Sequence, residues 1–203
     1  MHFATFHDLE DQSVFITGGG SGIGADLTRG FLSQGAKVTF IQRSYPEKIL
    51  AECEGKYKHD LSFIQCDVTN TKELKKALQA TKNKQGPVSI LVNNAANDTR
   101  HTLGEFTSEQ WDDTMNVNLK PHFFAAQEVV EGMKKNGGGS IINFSSISYM
   151  MGNKGYPAYA TAKSAITGLT RSLARELGPF NIRVNAIMPG WVLTKRQMDL
   201  WAT

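Results

Sequence analysis

Tyr159 and Lys163 stand four residues apart in the segment PAYATAK, within a run of helical periodicity, so their side chains leave one helix face about a turn apart. A phenol titrates near ~10 and exchanges protons at neutral pH only where its surroundings favour the phenolate. A fixed ammonium beside it does so. Taken alone, a Tyr-x-x-x-Lys spacing also describes an ordinary solvated helix face. It gains meaning from two companions: Ser146, thirteen residues before Tyr159, and the segment TGGGSGIG from Thr17 to Gly24.

The glycine segment has a physical reading of its own. SVFIT at residues 13–17 is a short apolar run, five glycines follow between Gly18 and Gly24, and ADLTRGFL then places Ala25, Leu27, Phe31 and Leu32 at helical spacing. This is strand, tight turn, helix. Glycines admit positive φ and let a diphosphate approach the backbone, while the N–H groups of the new helix point at the anion. A glycine-rich loop without a ligand is the plainer alternative. No Gly-Lys-Ser/Thr ending follows, which speaks against a phosphate-transferring P-loop. The spacing of Gly18, Gly22 and Gly24 is T-G-x-x-x-G-x-G and differs from the G-x-G-x-x-G of other dinucleotide-binding chains.

The elements that must hold these groups alternate. The patterns predict strands near 13–17, 37–42, 61–66, 88–92, 139–145 and 182–188, and helices near 22–34, 71–84, 108–135 and 157–178. Such alternation implies an α/β fold: a single Rossmann-type domain over residues 1–203, with a doubly wound parallel sheet covered by helices on both faces. Ligands then bind at the carboxyl ends of the strands, where Thr17, Gln42, Asp67, Asn94, Ser146 and Gly190 all fall.

Composition sets bounds. A chain of 203 residues with 40% hydrophobic content fits one domain with a full core. A net charge of +3 with scattered basic residues indicates neither nucleic acid nor a membrane surface as partner. Cys53 and Cys66 lack ligand spacing, the five histidines show none either, and no catalytic metal is expected. The beginning, MHFATFHDLED, lacks the regions of a signal peptide, no apolar stretch approaches a membrane span, and a cytoplasmic enzyme is expected.

Seven motifs in order give the chain a clear likeness. TGGGSGIG at Thr17, CDV at Cys66, NNAA at Asn93, NVNL at Asn116, INFSS at Ile142, YATAK at Tyr159 and RVNAIMPGWVLT at Arg183 resemble the short-chain dehydrogenases/reductases of the roughly 250-residue type, over about residues 10–200. The resemblance implies a catalytic set of Asn118, Ser146, Tyr159 and Lys163. Tyr159 would be the acid/base, Lys163 would lower its pKa and hold the nicotinamide ribose, Ser146 would orient the substrate oxygen, and Asn118 would hold a water behind Lys163. It also implies cofactor contacts. Gly18, Ser21, Gly22, Ile23 and Gly24 would lie at the phosphates, Asp67 and Val68 at the adenine, Asn94 and Ala95 by its ribose, and Pro189, Gly190, Val192 and Thr194 at the nicotinamide end. The helices near 108–135 and 157–178 would join subunits in a homodimer or homotetramer. Relatives continue past Thr203 with further helices and a last strand, so that strand is expected to be missing here, and a non-catalytic dinucleotide-binding module is the alternative that follows.

The end of the second strand bears on the cofactor. NAD-specific relatives carry a carboxylate there for the ribose hydroxyls; here Gln42 and Arg43 occupy the place, and an amide with a guanidinium suits the 2′-phosphate of NADP. NADP is expected over NAD, with use of both as the alternative. Within the family, the loops NNAANDTRH, SSISY and PGWVLTKRQM resemble those of bacterial aldose 1-dehydrogenases, which oxidise the anomeric hydroxyl to a lactone. Asn97, Ser148, Tyr149 and Trp191, with Arg100, His101 and Asn153, would then line a polar pocket with an aromatic wall for a sugar. A secondary alcohol or β-keto acyl thioester is the other substrate class.

Overall fold

The computed structural model describes residues 4–201. Six strands, β1 (Ser13–Thr17), β2 (Lys37–Gln42), β3 (Ser62–Gln65), β4 (Ile90–Asn93), β5 (Gly139–Phe144) and β6 (Ile182–Ile187), form one parallel sheet in the order β3-β2-β1-β4-β5-β6. The helices are α1 (Gly22–Ser33), α2 (Glu47–Cys53), α3 (Thr71–Gln85), α4 (Ser108–Asn118), α5 (Lys120–Lys135), α6 (Ser148–Met151), α7 (Pro157–Leu177) and α8 (Lys195–Trp201).

Alternate strand residues serve opposite faces, and both faces are buried, as a parallel sheet requires. Phe15, Ile41, Leu91 and Ile141 pack with Leu74 and Leu78 of α3 and Val129 and Met133 of α5. Val14, Ile16, Val38, Phe40 and Val92 pack on the other face with Ala25 and Leu32 of α1 and Ile49 of α2. The strand order reverses between β1 and β4, which opens the crevice beyond Thr17 and Asn93.

The single helix expected over 108–135 is two. Leu119 (φ −126°, ψ −54°) separates α4 from α5. Pro121 has no N–H to continue the ladder, so the chain restarts with that proline in the first turn of α5. The short helices α2, α6 and α8 lie in stretches with no expected element, being too brief for periodicity to register. Among the described residues, no helix is long and apolar enough to cross a membrane.

Candidate active site

The turn after β1 is built for close approach. Gly18 and Gly22 hold positive φ (+70° and +51°), and a Cβ at Gly24 would collide with the Gly18 carbonyl. The turn leads into α1, whose first turn carries no acidic side chain, so the positive end of the helix is not neutralised locally. This cradle fits a dinucleotide diphosphate. Thr17 and Asn94 brace it from below: Asn94 N–H and Ala95 N–H both donate to Thr17 Oγ1 (2.9 and 3.0 Å), and Asn94 Nδ2 donates to the carbonyls of Thr17 and Gly18 (3.1 Å each). Gln42 lies against Gly20 and donates to the Ser44 carbonyl at 2.9 Å, while Arg43 is exposed beside it. Asp67 closes a small turn by accepting from Thr69 N–H and hydroxyl (2.9 and 2.8 Å), and Val68 is buried.

Across the crevice, one end of β5 and the start of α7 bring the reactive groups together. Lys163 is 1% exposed; its ammonium donates to the Phe144 carbonyl at 2.8 Å and lies 5.6 Å from the centre of the Tyr159 ring. Ser145 fixes α7 from the strand side, donating to the Lys163 carbonyl at 2.6 Å. Ser146 stands close enough to Tyr159 to favour its phenolate, and it accepts the Ser148 N–H at 3.1 Å. Asn118 is fully buried and committed to the backbone. Its Oδ1 accepts the Asn97 N–H at 2.9 Å, and its Nδ2 donates to the carbonyls of Asn97 and Thr114 at 3.0 Å each.

In the chain without cofactor, burial dominates the electrostatics of Tyr159 and Lys163. Burial, then the negative charge of Asp98, pushes the Tyr159 phenol up to about 12, against the pull of Ser146 and Arg100. Burial likewise pushes the Lys163 ammonium down to about 7, with Asp98 opposing. The ammonium is turned to the Phe144 carbonyl, and the desolvated pocket favours the neutral form of both groups. A phenol held neutral is poised to donate; to act as a base it must first lose its proton, which a positive charge placed beside it favours.

These groups open into a cavity of about 670 Å³. Its wall includes Ile23, Asn94, Ser146, Tyr159, Lys163, Pro189, Gly190, Val192 and Thr194 among the residues singled out for catalysis and cofactor, and Ser148, Arg100, Asn153 and Trp191 among those for substrate. It does not include Asn97, His101 or Tyr149. Asn97 Oδ1 turns back to the Thr99 N–H and hydroxyl, and the Tyr149 hydroxyl meets Thr167 Oγ1 (3.3 Å) and the Met188 sulfur (3.5 Å). His101 sits at the start of α7 instead. Gly18, Ser21, Gly22, Gly24, Gln42, Arg43, Asp67 and Val68 lie along the crevice beyond this cavity's wall.

Several wall residues carry no motif of their own. Asp98 accepts from Gln197 Nε2 at 2.7 Å and from Arg196 (3.2 and 3.4 Å), so α8 is latched over the cavity; Trp191 Nε1 in turn donates to Gln197 Oε1 at 3.1 Å. The signal for Asp98 was its place within NNAAND, directly after β4. Nothing in the sequence singles out Lys154 or Gln197 in the same wall.

Comparison with known proteins agrees with this geometry. Residues 12–203 match the family model described as short chain dehydrogenase. The protein named Probable galactose dehydrogenase GalD, from Rhizobium meliloti (strain 1021), is 48% identical over 98% of this chain and 78% of its own length. The D-xylose 1-dehydrogenase of Caulobacter vibrioides (strain NA1000 / CB15N) is 46% identical over 100% of this chain and 80% of its own. Among solved structures, L-sorbose reductase from Gluconobacter frateurii, complexed with NADPH and L-sorbose, superposes with a TM-score of 0.90 at 28% identity, over 94% of this chain and 73% of that one. The chain belongs to the short-chain dehydrogenase family and is an oxidoreductase of the kind that uses NAD(P).

Proposed function

We propose that this dehydrogenase oxidises the anomeric hydroxyl of an aldose to a lactone, with NADP preferred over NAD. The observation that carries the reading is the cavity wall around Ser146 and Tyr159: Asp98, Arg100, Asn153 and Gln197 are polar, Trp191 is aromatic, and the Ser148 hydroxyl is buried without a hydrogen-bond partner. A polyol meets such a wall with hydroxyls and offers the buried Ser148 hydroxyl a partner, whereas an acyl chain would leave that hydroxyl unpaired.

In this reading Ser146 holds the anomeric oxygen and Tyr159, acting as the phenolate that the cofactor's positive charge favours, takes its proton. Bound oxidised nicotinamide supplies the hydride acceptor and a positive charge. Lys163 and Tyr159 hold its ribose, the turn from Gly18 to Gly24 with Ser21 and Ile23 holds the diphosphate, and Asp67, Val68, Asn94 and Ala95 surround the adenosine. Pro189, Gly190, Val192 and Thr194 edge the nicotinamide. Asn118 acts at one remove, through the chain at Asn97. Preference for NADP is supported by Gln42 and Arg43 where a carboxylate would otherwise stand. Assembly into a homodimer or homotetramer would use α4 and α5, where Trp111 and Phe123 are exposed, together with α7.

The test is a turnover screen with NADP and NAD against aldoses, secondary alcohols and β-keto acyl thioesters, with product identified by NMR. An aldonolactone from an aldopyranose is expected, faster than any product from the other classes. If a secondary alcohol or a thioester turns over faster than every aldose, the sugar assignment fails and only the oxidoreductase remains.

A further inference from the structure

α7 lacks a capping side chain of its own. Its N-cap residue, Tyr156, makes no side-chain cap, and Pro157 at the first position has no N–H. The first donor of the helix is therefore Ala158 N–H, in a residue only 1% exposed and out of reach of bulk water. It donates to His101 Nε2 at 3.2 Å. We infer that His101 is a positioning residue for Tyr159: from the loop after β4 it caps the helix that carries the phenol, one residue before it.

The ring is held for this task from three sides. Nδ1 lies 3.3 Å from the Thr99 carbonyl, a contact that only an Nδ1–H can make favourable, and that tautomer leaves the Nε2 lone pair as acceptor. The imidazole stacks on Phe106 at 3.8 Å between centroids and 19° between planes. Its own backbone N–H donates to the Gly155 carbonyl at 2.8 Å, just before the helix. The neighbouring residue strengthens the junction, because the Arg100 guanidinium lies 4.0 Å over the Tyr156 ring, and Tyr156 meets Tyr159 edge-on at 5.7 Å. The cavity wall and the acid/base are thus one assembly, and a small displacement of the loop moves the phenol off the reacting oxygen.

The inference rests on Tyr159 being the acid/base, and two readouts need no turnover at all. In the unaltered protein, ¹⁵N NMR of His101 should report Nδ1–H with an unprotonated Nε2, and Ala158 N–H should resist exchange although it lies in a first helical turn. In His101→Phe, which keeps the stack and removes the acceptor, that protection should vanish. kcat on whichever substrate the screen identifies should then fall about 5- to 50-fold, with cofactor Kd within about twofold. His101→Gln, which restores an acceptor, should recover kcat to within about threefold. An Nε2–H tautomer, an unprotected Ala158 N–H in the parent, full activity in His101→Phe, or a Gln variant as impaired as the Phe variant would each overturn the assignment. A failed sugar screen would leave the NMR results standing.

Discussion

Asn118 and Asn97 hold each other by both ends of an amide: the Asn118 side chain accepts the Asn97 N–H at 2.9 Å and donates to the Asn97 carbonyl at 3.0 Å. The break between α4 and α5 thereby fixes the loop that carries Asp98, Arg100 and His101. Asn118→Leu fills the same space but leaves the Asn97 N–H and the Asn97 carbonyl without the partners that Asn118 gives them. Urea unfolding should show a loss of about 2–4 kcal/mol. A loss under about 0.5 kcal/mol would mean that the loop is held by other contacts.

The acid/base role proposed for Tyr159 gives the plainest kinetic expectation. Tyr159→Phe keeps the ring against Tyr156 and removes the proton. Turnover should fall about 10²- to 10⁴-fold while cofactor binding stays within a few-fold. Turnover equal to the parent's would remove Tyr159 from the mechanism, and a parent that binds cofactor without turning over any substrate would point to a binding module.

Lys163 links this site to stability. Its folded-state pKa, about 7, is lowered from 10.5 by burial, so below about pH 7 the ion is present in both states and the folded form carries the full penalty of burying it. Between about pH 7 and 10.5 the unfolded chain holds the proton that the folded chain has released, and stability rises with pH by up to ~1.4 kcal/mol per unit. Lys163→Met removes this dependence. The stability difference between variant and parent should be greatest below about pH 7 and shrink above it; a difference independent of pH would contradict the burial argument. Tyr159 and Cys66, raised to about 12 and about 11, contribute slopes of opposite sign at high pH that cancel in the difference.

His122 makes the acid side sensitive. It is 1% exposed, neither ring nitrogen has a hydrogen-bond partner, and burial, then the Lys163 charge, lowers its pKa from 6.5 to about 3. At neutral pH it is uncharged in both states. As pH falls below about 6.5 the unfolded chain takes up a proton that the folded chain refuses, so stability is lost toward pH 3. His122→Leu should flatten the curve in that window. Parallel curves for parent and variant would refute it.

What the sequence disclosed follows from the range of each signal. All six strands were legible because apolar runs bounded by turns are local, and Tyr159, Lys163 and Ser146 were legible because a motif and a spacing name them. The break at Leu119 was not read, although Pro121 marks it, because the apolar pattern continues through Phe124 and Val129. The latch of Asp98 to Arg196 and Gln197 joins residues 98 and 99 positions apart, and no periodicity carries such a contact. The His101 cap is equally remote, being set by the loop's path across α7. The direction of the Tyr159 shift depends on burial and on Asp98, both properties of the folded chain.

In the proposed reading, cofactor choice rests on the end of β2. Arg43 is exposed, and its carbonyl is held by Gln65 Nε2 at 2.8 Å, so the backbone that presents the guanidinium is fixed while the side chain stays accessible. Charge-assisted hydrogen bonds to a 2′-phosphate are each worth about 1.5–3 kcal/mol. Arg43→Ala should therefore weaken NADP by roughly 10- to 100-fold and leave NAD little changed. Gln42→Asp places a carboxylate against the phosphate and beside the ribose hydroxyls, so preference should move toward NAD. Because Gln42 lies against Gly20 and donates to the Ser44 carbonyl, the exchange also frees that carbonyl, and a loss common to both cofactors measures this structural part. The ratio of the two dissociation constants, measured by fluorescence titration, separates the effects. A ratio unchanged by both substitutions would show that the end of β2 does not select the cofactor.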